Sequence, residues 1–230
     1  ATVGEEGLGD LRGVRELFGV AEQDDRRGAP ARAGAAGTGR SDIAKFVSID
    51  GTGLGITNVG VGSIRYRVTF KGPGGPSFSA FGLPNPVGAM GRAIAKVAEF
   101  QVPSNPKTTF NVGRVGGGTS VNSIPSDAWM EVDMRSPDSA ALSALEARFF
   151  RAVDSATVEE NDRWRATQPV TAVKERVGYR PAAATPADSA IVRTAEAVHK
   201  ALGLPVTLNE SSTDANIPMS LGIPAITIGG

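Results

Sequence analysis

Glu5 and Glu6, set between Gly4 and Gly7 directly after an apolar start, place two carboxylates on neighbouring residues. Adjacent side chains point in different directions, so one carboxylate can ligate a metal while the other takes a proton from metal-bound water. The same pair would equally serve as the acidic first turn of the following helix. Asp50 ends the apolar run AKFVSIDG. That is where open α/β sheets collect ligands, or simply a strand that stops in an aspartate. Asp214 and Asn216 in SSTDAN occupy a polar turn ahead of a helix, longer than an N-cap needs. Asn122 in GGTSVNSIP and Arg135 in EVDMRS complete the set. An arginine near a strand end can clamp a carboxylate bidentately, or pair with Asp133 at the surface.

Other chemistries are excluded by composition. The 230 residues contain no cysteine and 1 histidine, which removes thiolate nucleophiles and makes a Ser-His-Asp triad a poor fit. Any metal is left with oxygen ligands or His199, which sits in an amphipathic pattern beside Lys200 and reads as a packing or surface histidine. The glycine runs GTGLG and GPGG lack the strand, helix and lysine context of a phosphate loop. With 24 basic against 24 acidic side chains, nothing calls for a nucleic-acid or anionic-membrane partner. No apolar run approaches the roughly 20 residues that cross a bilayer, and a soluble, cytoplasmic protein is expected.

The elements that must position these residues follow from periodicity. An amphipathic helix through Leu11, Val14, Leu17 and Phe18 precedes a stretch at 21–42 without periodicity, which by composition is a loop. Residues 44–51 read as a buried strand. From about Val59 a second unit begins: a half-exposed strand at 63–72, a glycine-rich turn at 72–75, a helix at 85–99, strands at 107–115 and 126–134, a helix from Pro137 to Ala152 and a strand at 169–177. That order, β-α-β-β-α-β, is a small sheet with both helices on one face. From Pro181 the pattern returns to α/β: a helix from Ala187 to Leu202 with Ile191, Ala195, Val198 and Leu202 in register, stopped by Gly203, then short strands at 205–209 and 224–228. The fold class is therefore α/β, interrupted by an inserted ferredoxin-like unit. The expected boundaries are 1–58, 59–177 and 178–230. ATVGEEG and GIPAITIGG both read as opened strand ends, and predict a piece of a longer polypeptide.

GEEGLGDLRGVRELF, FVSIDGTG, VTFKGPGGPSFSAFGLPNPVGAMGRAI, GGTSVNSIPSDAWMEVDMRS and SSTDANIPMSLGIPAITIGG, taken in this order, resemble the M20 family of dinuclear zinc peptidases and amidohydrolases. The resemblance implies a zinc-binding catalytic domain interrupted by a dimerisation, or lid, domain, and a homodimer acting on peptide or N-acyl amino-acid amide bonds. It places Glu5 as general base, Glu6 and Asp50 as zinc ligands, and Asn122, Arg135, Asp214 and Asn216 at substrate-side positions. Two zinc ions per subunit are implied for complete members.

Departures from the family pattern qualify this. The His-x-Asp pair, a further acidic strand and a late histidine that the family uses are not among these residues, so zinc is expected to be absent or weakly held and the chain alone inactive. Where the family lid reads Gly-Gly-His-Ser, this chain has Gly75-Pro76-Ser77, and proline offers neither a hydrogen bond nor a proton there. The alternative expectation is a non-catalytic relative that still dimerises through its lid.

Overall fold

A computed structural model of the chain describes residues 43–51 and 53–229. Glu5, Glu6, the helix read from Leu11 to Phe18 and the loop at 21–42 lie outside the described residues. In chain order the elements are β1 (Phe46–Ile49), β2 (Ile56–Gly60), β3 (Gly62–Lys71), β4 (Gly75–Pro76), α1 (Pro86–Ala98), β5 (Thr109–Gly117), β6 (Ser123–Ile124), β7 (Asp127–Ser136), α2 (Ser139–Trp164), β8 (Thr171–Arg180), β9 (Ala183–Ala184), α3 (Ala190–Ala201), β10 (Leu208–Ser211), α4 (Asn216–Ser220) and β11 (Ala225–Ile228). They divide into two units, Val61–Ala183 and the chain on either side of it.

In the middle unit, period-two patterning sets the sheet. Ile64, Tyr66, Val68 and Phe70 of β3 and Ala128, Met130, Val132 and Met134 of β7 all turn to one side and are buried. The sheet runs β5-β7-β3-β8 with antiparallel pairing throughout. Both helices seal its apolar face, where Met90, Ala93 and Val97 of α1 and Leu145, Phe149 and Val153 of α2 join one core. This is the β-α-β-β-α-β arrangement the sequence predicts. Asn85 caps α1 by accepting from Val87 N at 2.9 Å, and Pro86 occupies the first helical position, where its missing N–H costs nothing.

Two features differ from expectation. The second helix does not stop at Ala152 but continues to Trp164, because Val153, Ala156 and Glu160 keep the buried stripe at helical spacing through a polar-looking sequence. The Gly75–Pro76 segment is not only a turn: it pairs antiparallel with β6 as a two-stranded ribbon, Pro76 opposite Ser123. A proline is tolerated there because the ribbon has no third strand requiring its N–H.

Tyr66 provides a pH readout of this core. Its hydroxyl donates to Glu146 Oε1 at 2.7 Å, and burial, with that carboxylate, pushes its pKa up to about 12. A raised pKa means stability that is whole below the ordinary tyrosine value near 10 and is lost as pH rises through 12. Alkaline titration at 295 nm should therefore show a late phenolate step that Tyr66→Phe abolishes; a single step unchanged by the substitution would refute the burial argument.

The flanking unit has a sheet in the order β1-β11-β2-β10. β1 and β11 are parallel, β11 and β2 antiparallel, and β2 and β10 parallel. Among the described residues its core holds Ile56, Ile191, Val192 and Ile226, backed by Val47, Ala195 and Ile228. β2 falls in this unit, and the middle unit runs from Val61 to Ala183. The buried stripe of α3 is Ile191, Val192 and His199, while Val198 and Leu202 are exposed. Burial of His199 is tolerable because its Nδ1 lies 2.9 Å from the Pro205 carbonyl, which also ties the helix end to the following chain. Gly203, at φ +70°, closes α3 in the left-handed conformation.

Candidate functional site

The flanking unit contains an open polar cavity of about 250 Å³ lined by Asp50, Thr57, Asn209, Glu210, Ser211 and Thr227, together with glycines. It lies at the carboxyl ends of β1 and β11, because Ile49 is opposite Ile228 and the Asp50 N–H donates to the Ile228 carbonyl at 3.0 Å. β2 enters from the same end, with Ile56 opposite Ile228, and β10 lies beside it with Asn209 opposite Thr57. Ligand sites of open α/β sheets form at such ends. Glycine is needed at the rim: a Cβ on Gly229 would run into the backbone of Gly53.

Hydrogen bonds connect the cavity to the turn carrying Asp214. Thr57 Oγ1 donates to Asn209 Oδ1 at 2.5 Å. The hydroxyls of Thr227 and Thr213 are 2.6 Å apart, and the Thr213 N–H donates to Asn216 Oδ1 at 3.0 Å. Asn216 is fully buried. A Cβ on Gly60 would sit 2.7 Å from its amide carbon, so the close packing depends on glycine. Asn216 is thus an internal brace of the turn. Ala215 holds the N-cap position of α4 and no side chain caps it, which answers the capping alternative for this turn.

In the middle unit, Asn122 precedes β6 on the ribbon. Its carbonyl accepts from Ser77 N at 2.9 Å and its Oδ1 from Ser120 Oγ. Pro76 and Asn122 are therefore near neighbours, and the exposed side chains of Phe78 and Val121 flank them. Arg135 lies elsewhere, on the outer face of the sheet, where its Nε donates to Asp133 Oδ2 at 2.6 Å. That is the surface pair the sequence left open as the alternative to a clamp. Burial works to raise the Asp133 pKa, but hydrogen bonds from Arg135 and Arg65 outweigh it and hold the carboxyl below its ordinary value. Its stabilising pairing is complete above the ordinary carboxylate range and fades as pH falls through the lowered value.

Asp50, Asp214 and Asn216 therefore share one unit, and Asn122 and Arg135 are in the other, on separate features. Glu210 is a cavity carboxylate that sequence reasoning passed over; only the pairing of β10 with β2 reveals it. Among the described residues, no group of three or more His, Cys, Asp or Glu is placed to hold a metal ion. Asp50 and Glu210 alone fall short of the four ligands of a typical zinc site. Among the described residues, no helix is long and apolar enough to cross a membrane.

Comparison with known proteins locates this architecture. Residues 61–161 match the M20 peptidase dimerisation domain. The chain is similar in fold to aminopeptidase PepT from Bacillus cereus, at 18% identity and a TM-score of 0.66, covering 81% of this chain and 48% of that one. A tripeptidase from Staphylococcus aureus gives 17% identity and a TM-score of 0.67, with 81% and 48% covered. An aminobenzoyl-glutamate utilization protein from Klebsiella pneumoniae gives 18% identity and a TM-score of 0.65, with 81% and 49% covered. The chain thus spans about half the length of these structures. No curated protein matches it.

Proposed function

We propose that this chain, with an M20 peptidase dimerisation domain at its centre, is part of a hydrolase of peptide or N-acyl amino-acid amide bonds. On this reading it pairs as a homodimer through that domain and does not turn over substrate as the 230 residues alone. The observation that carries the reading is the match over residues 61–161 on a unit with its own complete core. The described residues do not fit a two-zinc centre, so no chemical step is assigned to a metal here. Asp50 and Glu210 give the cavity an acidic rim, and the turn with Asp214 and Asn216 is braced against its wall. Asn122 offers a carboxamide whose N–H₂ can donate to a substrate carbonyl, and Arg135 a guanidinium for a substrate carboxylate once it leaves Asp133. Glu5 as base and Glu6 as zinc ligand remain part of this proposal.

A second reading, a non-catalytic relative, is favoured by Pro76 on the ribbon beside Asn122. Light scattering, zinc analysis and release of amino acid from a dipeptide and an N-acetyl amino acid test both. The expected result is a mass twice the 23.7 kDa of the chain, no stoichiometric zinc and no release. A monomer would overturn the dimer; zinc-dependent release would overturn inactivity and dismiss the second reading.

A further inference from the structure

The outer face of the middle unit's sheet, turned away from α1 and α2, holds two carboxylates that each bridge two guanidiniums. Asp133 accepts from Arg65 Nε at 2.7 Å and Arg135 Nε at 2.6 Å. Glu131 accepts from Arg67 Nη1 at 2.8 Å and Arg114 Nη1 at 2.9 Å. The Arg67 guanidinium lies 3.9 Å over the Trp129 ring, with that of Arg114 at 5.6 Å. Trp129 itself lies flat because Gly116 is opposite it, where a Cβ would come within 2.7 Å of the ring. The result is a level platform of arginine and indole with little relief.

Its charge is unbalanced. Four guanidiniums against two carboxylates leave a net charge of +2. Towards the margins, Lys71 and Arg180 offset Asp127 and Glu175, which share the face by register, so the excess stands. In a chain with 24 charges of each sign, this is local segregation. Each guanidinium has five N–H donors and directs one nitrogen to a carboxylate, and the side chains of Arg65 and Arg114 remain 52% and 70% exposed. Donors and positive charge are both in surplus on a face that no element of the unit covers.

We propose that this face docks an acidic polypeptide segment whose carboxylates bridge the guanidiniums as Asp133 and Glu131 already do. Arg65 and Arg67 are two residues apart on β3 and so recur at about 6.8 Å, the spacing of alternate side chains on an extended peptide. A second copy stacked face to face would set like charge against like, so dimer pairing uses another surface. A single strand held by its bases would need an open aromatic ring to stack on, and the ring of Trp129 is covered by Arg67.

The test is fluorescence anisotropy of a labelled hexaglutamate peptide with the full chain at low salt. Binding should weaken by about tenfold or more in the Arg65→Ala/Arg114→Ala double variant, and a hexaglutamine peptide should not bind. Arg65→Lys/Arg114→Lys keeps the charge without the planar fork and should fall between; it also serves if the alanine pair fails to fold. Absence of hexaglutamate binding, or equal binding by a folded alanine variant, overturns the proposal. So does tighter binding of inorganic polyphosphate than of the peptide, which would identify a phosphate surface. The oligomeric state should be the same in all variants, which separates this outcome from that of the homodimer reading.

Discussion

Glu160→Ala should lower the stability of the middle unit by about 3–5 kcal/mol, the usual cost of removing one partner of a buried, hydrogen-bonded charge. Glu160 is only 3% exposed, near the end of α2. Its carboxylate accepts from Asn85 N at 3.0 Å, Trp164 Nε1 at 2.9 Å and Arg92 Nε at 3.0 Å. It thereby ties the N-terminal cap of α1, the side of α1 and the last turn of α2 to one point. Alanine would leave three donors without an acceptor, each carrying a desolvation penalty. Arg92 can turn partly into solvent, but the Asn85 amide cannot move without opening the helix. The same contact explains Gly88 within α1: a Cβ there would lie 3.0 Å from the Glu160 carboxylate, so the helix accepts a glycine at a cost of about 1 kcal/mol. Glu160→Gln retains one acceptor and should lose less, about 1–3 kcal/mol. Urea denaturation followed by circular dichroism measures both, and Trp164 emission should change with loss of its indole hydrogen bond. A loss in the alanine variant no larger than the roughly 1 kcal/mol of a surface pair would show that the cluster does not hold the helices.

Glu160 also shows why the second helix looked shorter in sequence than it is. Residues 153–164, VDSATVEENDRW, contain so many polar side chains that the apolar stripe reads as ending at Ala152. The stripe instead continues through a carboxylate, buried because an arginine and a backbone amide from distant sequence positions meet it beside the indole one helical turn on. Periodicity registers apolar side chains and cannot register a partner 68 residues away, as Arg92 is from Glu160. The middle unit was otherwise legible, since strands such as SIRYRVTFKG alternate cleanly and neither helix needs a distant contact to declare itself. His199 repeats the lesson: it occupies the buried stripe of α3 by bonding the Pro205 carbonyl, while the expected Val198 and Leu202 face solvent. At the candidate site, Asp50 was readable as a strand-end carboxylate. Glu210 was not, because its place on the cavity depends on a parallel pairing between strands about 150 residues apart in sequence.

Asn216→Ala should open the turn beside that cavity at a cost of about 1–3 kcal/mol for the orphaned Thr213 N–H, with a further penalty for the void. Among the described residues of the flanking unit, four buried apolar residues cluster as a core, so the loss falls on few neighbouring contacts. Asn216 fits because Gly60 lacks a Cβ, and Gly60→Ala should have a similar effect from the other side by forcing a methyl to within 2.7 Å of the buried amide. The two substitutions strike one contact, so the double variant should cost less than the sum of the single ones. Hydrogen exchange separates local from general damage. The Thr213 amide should lose protection in Asn216→Ala and in Gly60→Ala, while amides of β3 and β7 keep theirs, because those strands belong to the other unit, with a core of its own. If protection fell in both units together, the turn would be coupled to the whole chain and the view of Asn216 as a local brace would be wrong. If Thr213 kept its protection, Asn216 would not be its acceptor in solution. The turn carrying Asp214 would then be held by other contacts, the pair of Thr213 and Thr227 hydroxyls on the cavity wall among them.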